Sequence, residues 1–175
     1  MATAAQCKFA RQVYEAAKVG TDIAPEFVTA QAILETDWGK SKIGMYNIFG
    51  ITKGSSWTGR TILVRTHEWF PTPDRKFALP EKVISVAYSS TKKKYHYTVD
   101  RLFRDYDSLA DCLADHTYIL RKPGYADAWP YRHNAEEFAR RIADNVGCKY
   151  ATDPFYINSI TKLIRQVRGI VGKEG

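Results

Sequence analysis

"FVTAQAILETDWGKSKIGMYNIFGI", residues 27–51, decides how this chain reads. Its first half has the pattern of an apolar helix. Pro25 is a favourable first-turn residue, and Phe27, Ala30, Gln31 and Leu34 recur at helical spacing as the buried face. The helix is expected to end near Trp38–Gly39. The following "MYNIFGITKGSSWTGR" is turn-rich and should wrap back over that helix end. One residue sits awkwardly in this pattern. Glu35 places a carboxylate beside the apolar face, in the last turn, where the helix dipole presents its negative end.

Two readings of Glu35 are open from the residues alone. It can be a solvated helix-end charge. Alternatively, partial desolvation and the dipole both disfavour its ionised form, which would raise its pKa. A carboxylic acid still protonated near neutral pH is what general-acid cleavage of a glycosidic bond requires. Such chemistry usually needs a second carboxylate across the bond. Glu68, at the end of an alternating strand pattern, is the candidate, against the alternative of an exposed polar sheet face. Asp37 is a weaker one.

Outward from this stretch, residues 3–18 read as a first helix with Ala10, Val13, Tyr14 and Ala17 on one face and Gly20 as its stop. "TILVRTHEW" alternates, with Ile62, Val64, Thr66 and Glu68 on one side and Leu63, Arg65, His67 and Trp69 on the other. "EKVISVAYSS" and "KYHYTVDRLF" follow, joined by a turn at Thr91–Lys93, and "FPTPDRKFALPE" with its prolines reads as a loop. Helices then resume. Ser108 and Asp111 have capping-box spacing before the stripe Leu109, Cys112, Leu113, His116, Ile119 and Leu120. Asn134 and Glu137 open another helix with Phe138, Ile142 and Val146, stopped by Gly147. Asp153–Pro154 caps a last one with Ile157, Ile160, Ile164 and Val167, ending at Gly169. The order is helices, small antiparallel sheet, helices: one predominantly helical α+β domain over residues 1–175, with a β lobe at about 60–104 and a cleft between the lobes.

The composition excludes several classes. With 45% hydrophobic and 26% charged residues, the chain is an ordinary globular one and not a disordered one. The three cysteines, Cys7, Cys112 and Cys148, form neither a disulfide framework nor a metal-ligand spacing. The four histidines do not cluster either, and His116 reads as a satisfied core residue. No metal or organic cofactor is expected. The net charge of +7 favours an anionic partner, but the basic residues are scattered and the run Lys92–Lys94 reads as a solvated hairpin tip, which argues against nucleic acid. The N-terminus has no apolar signal region and no stretch is long enough for a membrane span. The expectation is a monomer without membrane insertion, made in the cytoplasm and released to the wall through a holin or a secretion system.

"TAQAILETDWGKS", "YNIFGI", "THEW", "FRDYDSLADCLADH" and "YATDPFY", in that order, resemble glycoside hydrolase family 73. These are the N-acetylglucosaminidases of autolysins, phage lysins and flagellar muramidase domains. The resemblance runs from about residue 10 to about residue 165. It implies a lysozyme-like fold and cleavage of the β-1,4 bond between N-acetylglucosamine and N-acetylmuramic acid in peptidoglycan glycan strands. By the same resemblance Glu35 is the general acid, Glu68 falls where the family places its second carboxylate, and Tyr150 matches its active-site tyrosine. Gln31 and Asn47 are expected to line the cleft, with Trp57, Tyr88 and Tyr156 as further substrate contacts. Two features depart from the pattern. Asp37 adds a charge beside the acid, and "FPTPDRKFALPEKVISVAYSS" is an insertion just after Glu68, which makes Glu81 an alternative second carboxylate. A phage endolysin is the expected setting; a lytic transglycosylase, a muramidase and a secreted antibacterial effector are the alternatives.

Overall fold

The computed structural model describes residues 1–144 and 155–172. Helix α1 spans Ala4–Gly20 and is closed at its N-terminus by a capping box between Thr3 and Gln6. Helix α2 spans Pro25–Thr36. Strands β1 (Thr61–Phe70), β2 (Lys82–Ser89) and β3 (Lys94–Arg104) form one antiparallel sheet in the order β1-β3-β2. Helices α3 (Leu109–Leu120), α4 (Ala135–Ala143) and α5 (Tyr156–Val171) complete the fold, with short 3-10 turns at Pro123–Tyr125 and Trp129–Tyr131. The expected α+β architecture and its β lobe are both present.

Helix α2 is the centre of the helical lobe. It packs on α1, α4 and α5, so nearly its whole circumference is interior, from Phe27 through Ile33 and again at Thr36. A helix buried all round is not amphipathic, which explains why single-face reasoning misplaced Leu34. That residue is expected on the buried face and is exposed. The last turn of α2 opens on the side that carries Leu34 and the half-buried Glu35. Phe27 meets Phe138 of α4 edge-on, with ring centroids 4.9 Å apart. A smaller cluster of Ala10, Ile33, Val167 and Ile170 seats Trp38 beneath the helix end.

The sheet follows its alternation. Ile62, Val64, Thr66 and Glu68 are the more enclosed face, and Leu63, Arg65, His67 and Trp69 the exposed one. On β3 the enclosed face continues through Tyr97, Val99 and Phe103, all buried. The β2–β3 turn holds Lys92 and Lys93, where Lys93 takes a left-handed φ of 51°. The lobe joins the helices at one narrow base. There the backbone N–H of Arg104 donates to Ile51 O, that of Lys53 to Leu102 O and that of Asp105 to Arg60 O.

Helix α4 ends at Ala143, earlier than the stripe to Val146 implies. Val146, Gly147, Cys148, Tyr150 and Asp153–Pro154 lie outside the described residues. Helix α5 runs past Gly169 to Val171; with no Cβ contact at that glycine and a buried Ile170 beyond it, packing carries the helix through the expected stop. Among the described residues no helix is long and apolar enough to cross a membrane.

Candidate active site

Glu35 owes its position to how α2 stops. Asp37, Trp38 and Gly39 follow one another at φ 46°, 61° and 83°, a left-handed run that ends the helix at Thr36. Thr36 secures the bend. Its hydroxyl donates to Ala32 O at 2.6 Å and accepts from the Gly39 N–H at 2.8 Å. Gly39 sits against the Phe9 ring, so close that a Cβ would lie 2.5 Å from Cδ2. Asp37 does not lean on the acid: its carboxylate pairs with Lys40 at 3.0 Å, and both are exposed.

The segment after the bend returns to Glu35 as its sequence implies. Ile43 and Asn47 exchange backbone hydrogen bonds, closing a tight loop. At Gly50 (φ 61°) the chain passes so near the acid that a Cβ would stand 3.9 Å from Glu35 Oε2. Glycine is needed there for the left-handed backbone, and the turn it forms walls one side of the carboxyl group.

Gln31 and Asn47 are not cleft-lining residues. Asn47 is fully buried, and its side chain is spent on the backbone. Nδ2 donates to Ile51 O and Arg104 O, each at 2.9 Å, and Oδ1 accepts from the Ile51 N–H at 3.0 Å. It staples the "NIFGI" turn to the end of β3. Gln31 is equally interior and accepts a hydrogen bond from His116 Nε2 at 2.6 Å. His116 stacks flat on Phe49, centroids 3.9 Å apart. Glutamine, histidine and phenylalanine thus form a layer behind the acid, one turn below it. Burial pushes the His116 imidazole down to about 3, so the ring is neutral and its proton sits on Nε2.

Trp57 is half-buried and Tyr156 is buried. The Trp57 indole donates to Arg60 O at 2.8 Å, meets Tyr106 edge-on and lies under the Arg104 guanidinium. Tyr156 is buried at the start of α5. Tyr88 is different: it is exposed, rests against Tyr95 and shares the sheet face of Glu68. Tyr150 lies outside the described residues.

Glu68 and its alternative, Glu81, meet at one side chain that sequence reasoning missed. Arg101 donates from Nη1 to Glu68 Oε2 at 2.7 Å and from Nε to Glu81 Oε1 at 2.9 Å. The signal for it was present. Arg101 has the inward parity of Tyr97, Val99 and Phe103, and an arginine at such a position calls for a carboxylate partner. A second missed group holds the lobe's base. Arg104, buried, donates from Nη1 to both carboxylate oxygens of Asp115 of α3 at 2.8 and 2.9 Å, and the Tyr106 hydroxyl donates to the same carboxylate. Burial pushes the Tyr106 hydroxyl far up, so it remains the donor.

The glucosaminidase family model, described as mannosyl-glycoprotein endo-beta-N-acetylglucosaminidase, matches residues 11–169. A probable N-acetylmuramidase of Lactococcus lactis subsp. cremoris is 33% identical over 151 residues, which are 81% of this chain and 28% of that protein. Peptidoglycan hydrolase FlgJ of Escherichia coli (strain K12) is 30% identical over 153 residues, 83% of this chain and 41% of that protein. The chain therefore spans well under half the length of these curated relatives. Among solved structures, the glycoside hydrolase domain of Salmonella typhimurium FlgJ superposes with a TM-score of 0.69 at 26% identity, covering 96% of this chain and 91% of that one. With the family's match running through the bend at Glu35, the sheet and the last helix alike, this chain belongs to the glucosaminidase family of glycoside hydrolases.

Proposed function

We propose that this chain hydrolyses the β-1,4 bond on the reducing side of N-acetylglucosamine in bacterial peptidoglycan, with Glu35 as the general acid. The observation that carries this reading is the seat of Glu35: a half-buried carboxyl group in the last turn of α2, walled by the Gly50 turn and backed by the interior Gln31–His116 layer. Such a group delivers its proton to the leaving glycosidic oxygen. Glu68, on the more enclosed face of β1, is the second carboxylate; it activates water or stabilises the oxocarbenium-like transition state. Tyr150 assists at the anomeric carbon, and Tyr88 offers an exposed ring face to a sugar. The positive charge of +7 suits steering toward an anionic wall polymer, and the chain acts as a monomer. The relatives' names support the wall as substrate; the family name favours the glucosaminidase bond, whereas the Lactococcus relative is named for the muramidase one, and the digest below separates the two.

Digesting purified peptidoglycan, reducing the new ends with borohydride and weighing the fragments tests the bond. The expected new end is reduced N-acetylglucosamine. Reduced N-acetylmuramic acid would make the chain a muramidase, and an anhydro-sugar a transglycosylase. Glu35→Gln is expected to lower the rate by about 10²–10⁴-fold with the fold intact; unchanged lysis by that variant overturns the role of Glu35. The endolysin setting is part of the same proposal: a holin reading frame beside the gene supports it, and an immunity gene there replaces it with an antibacterial effector.

A further inference from the structure

Segment 71–81, the first half of the insertion after β1, crosses the enclosed face of the sheet and is fastened there at three points. The buried Tyr97 hydroxyl donates to Thr72 O at 2.6 Å and accepts from the Arg75 N–H at 3.2 Å. The Arg75 guanidinium lies over the Phe70 ring, 4.3 Å from its centroid. At the far end, Glu81 Oε1 accepts both from Arg101 Nε at 2.9 Å and from the Leu102 N–H at 3.0 Å. Phe77 covers the remaining side of the Arg101 guanidinium, its centroid 4.9 Å away.

Arg101 is thereby held on two sides before it reaches Glu68. Glu81 grips Nε and is itself tied to the backbone of β3, while Phe77 closes the flat face. Only Nη1 is committed to Glu68, at 2.7 Å. All three ionic side chains are largely enclosed, at 16% exposure for Arg101, 23% for Glu68 and 17% for Glu81. The pairs are thus not the solvated surface kind that averages to nothing. The two carboxylates are not equivalent. Glu81 accepts a backbone N–H as well as the guanidinium, both through Oε1, whereas Glu68 accepts the guanidinium alone, through Oε2. Glu68, gripped by one donor and not by the backbone, is the less restrained of the two.

We infer that Arg101 is a positioning residue that aims Glu68 for the reaction, with Glu81 and the 71–81 segment as its fixed outer support. The inference rests on the proposed role of Glu68. It also separates the two acids: Glu68 works on the substrate, and Glu81 works on Arg101. A guanidinium suits this task because its planar fork can hold two carboxylates at a set angle, which an ammonium cannot.

A double-mutant cycle on soluble glycan strands tests it, using Arg101→Gln, Glu68→Gln and the double variant, with Arg101→Lys and Glu81→Gln beside them. Misaiming a catalytic group by about 1 Å costs on the order of 100-fold, so Arg101→Gln is expected to lower kcat by about 10–100-fold while KM moves less than about 3-fold. Glu81→Gln, which changes one atom, is expected to lower kcat by about 3–10-fold. In the Glu68→Gln background the same Arg101 change should alter the rate less than about 2-fold. Equal losses in both backgrounds would mean that Arg101 only supports the lobe, and a fully active Arg101→Gln or Glu81→Gln would also overturn the inference. If Arg101→Gln does not fold, Arg101→Lys takes its place in the cycle. Carbon-13 NMR of the Glu68 carboxyl group gives a readout independent of turnover: its resonance should move in Glu81→Gln. A resonance that stays put refutes the aiming role even if the enzyme cuts another bond, whereas a wild-type protein without wall activity refutes only the proposed function.

Discussion

His116 Nε2 lies 2.6 Å from Gln31 Oε1, and the imidazole that makes this bond is buried, neutral and stacked on Phe49. Among the described residues its other nitrogen, Nδ1, has no hydrogen-bond partner, so a second proton there would add an unsolvated charge. This is the physical cause of the downward shift to about 3.

The shift makes stability depend on pH with a definite sign. Above about pH 6.5 the ring is neutral in both folded and unfolded chains, and nothing is lost. Below that value the unfolded chain takes up a proton that the folded one refuses until about pH 3. Stability therefore falls as pH drops through this window, by about 1.4 kcal/mol per pH unit from this one group. Urea unfolding of the wild type and His116→Phe at pH 7.5 and pH 5 measures it. The variant is less stable at pH 7.5, because Gln31 loses its donor, and has the shallower dependence on pH; equal slopes would refute the assignment.

Asn47 should tolerate loss better than charge. Asn47→Ala removes three hydrogen bonds and is expected to cost about 2–3 kcal/mol. Asn47→Asp turns a carboxylate toward the Ile51 and Arg104 carbonyl oxygens in a fully buried site, and should cost about 4 kcal/mol or more. Chemical denaturation of the two variants ranks them. If aspartate proves the milder change, the amide does not point at those carbonyls.

The bend after Glu35 depends on Gly39. Gly39→Ala puts a Cβ 2.5 Å from Phe9 Cδ2 on a backbone at φ 83°, so a loss of about 2–5 kcal/mol is expected, with lowered activity because the acid's turn must shift. Gly124→Ala is the control, since a Cβ there meets nothing within 4 Å. Thermal melts of both proteins decide between a steric role and a merely compositional one.

Asp115 holds the β lobe to α3. Asp115→Asn leaves the Arg104 guanidinium, 8% exposed, without its counter-charge, and should cost about 3–5 kcal/mol. The outward pair Arg65–Asp100 is the contrast: Asp100→Asn should leave the melting temperature almost where it was. Hydrogen exchange should locate the Asp115→Asn effect at the base of β3, around Ile51, Thr52 and Arg104, where the lobe joins.

Local chemistry made much of the fold legible. Pro25, Ser108 and Asn134 mark helix starts through rules that need no distant partner, and the alternation from Thr61 to Phe70 separates the two sheet faces by itself. Cys112 and His116 read as core because their stripe repeats at helical spacing, and both are core. Glu35 was legible for a related reason, as a carboxylate out of keeping with its apolar helix.

Side-chain partners across long separations were not legible, because spacing along the chain carries no information about them. Gln31, Asn47 and Tyr156 look like cleft residues beside the acid, yet each is buried, and the two amides bond distant partners: His116 lies 85 residues from Gln31, and Arg104 57 from Asn47. Leu34 faces outward because α1, α4 and α5 enclose α2 from the other sides. Glu68 and Glu81 are rivals for one role in the sequence, which carries no sign that folding joins both to Arg101. The sequence by itself determined the elements, the two lobes and the acid at the end of α2, since caps, turns and periodicity act within a few residues. Tertiary structure alone decided which polar groups are buried supports and that Glu68 and Glu81 share one arginine, because desolvation and pairing depend on neighbours that only the folded chain supplies.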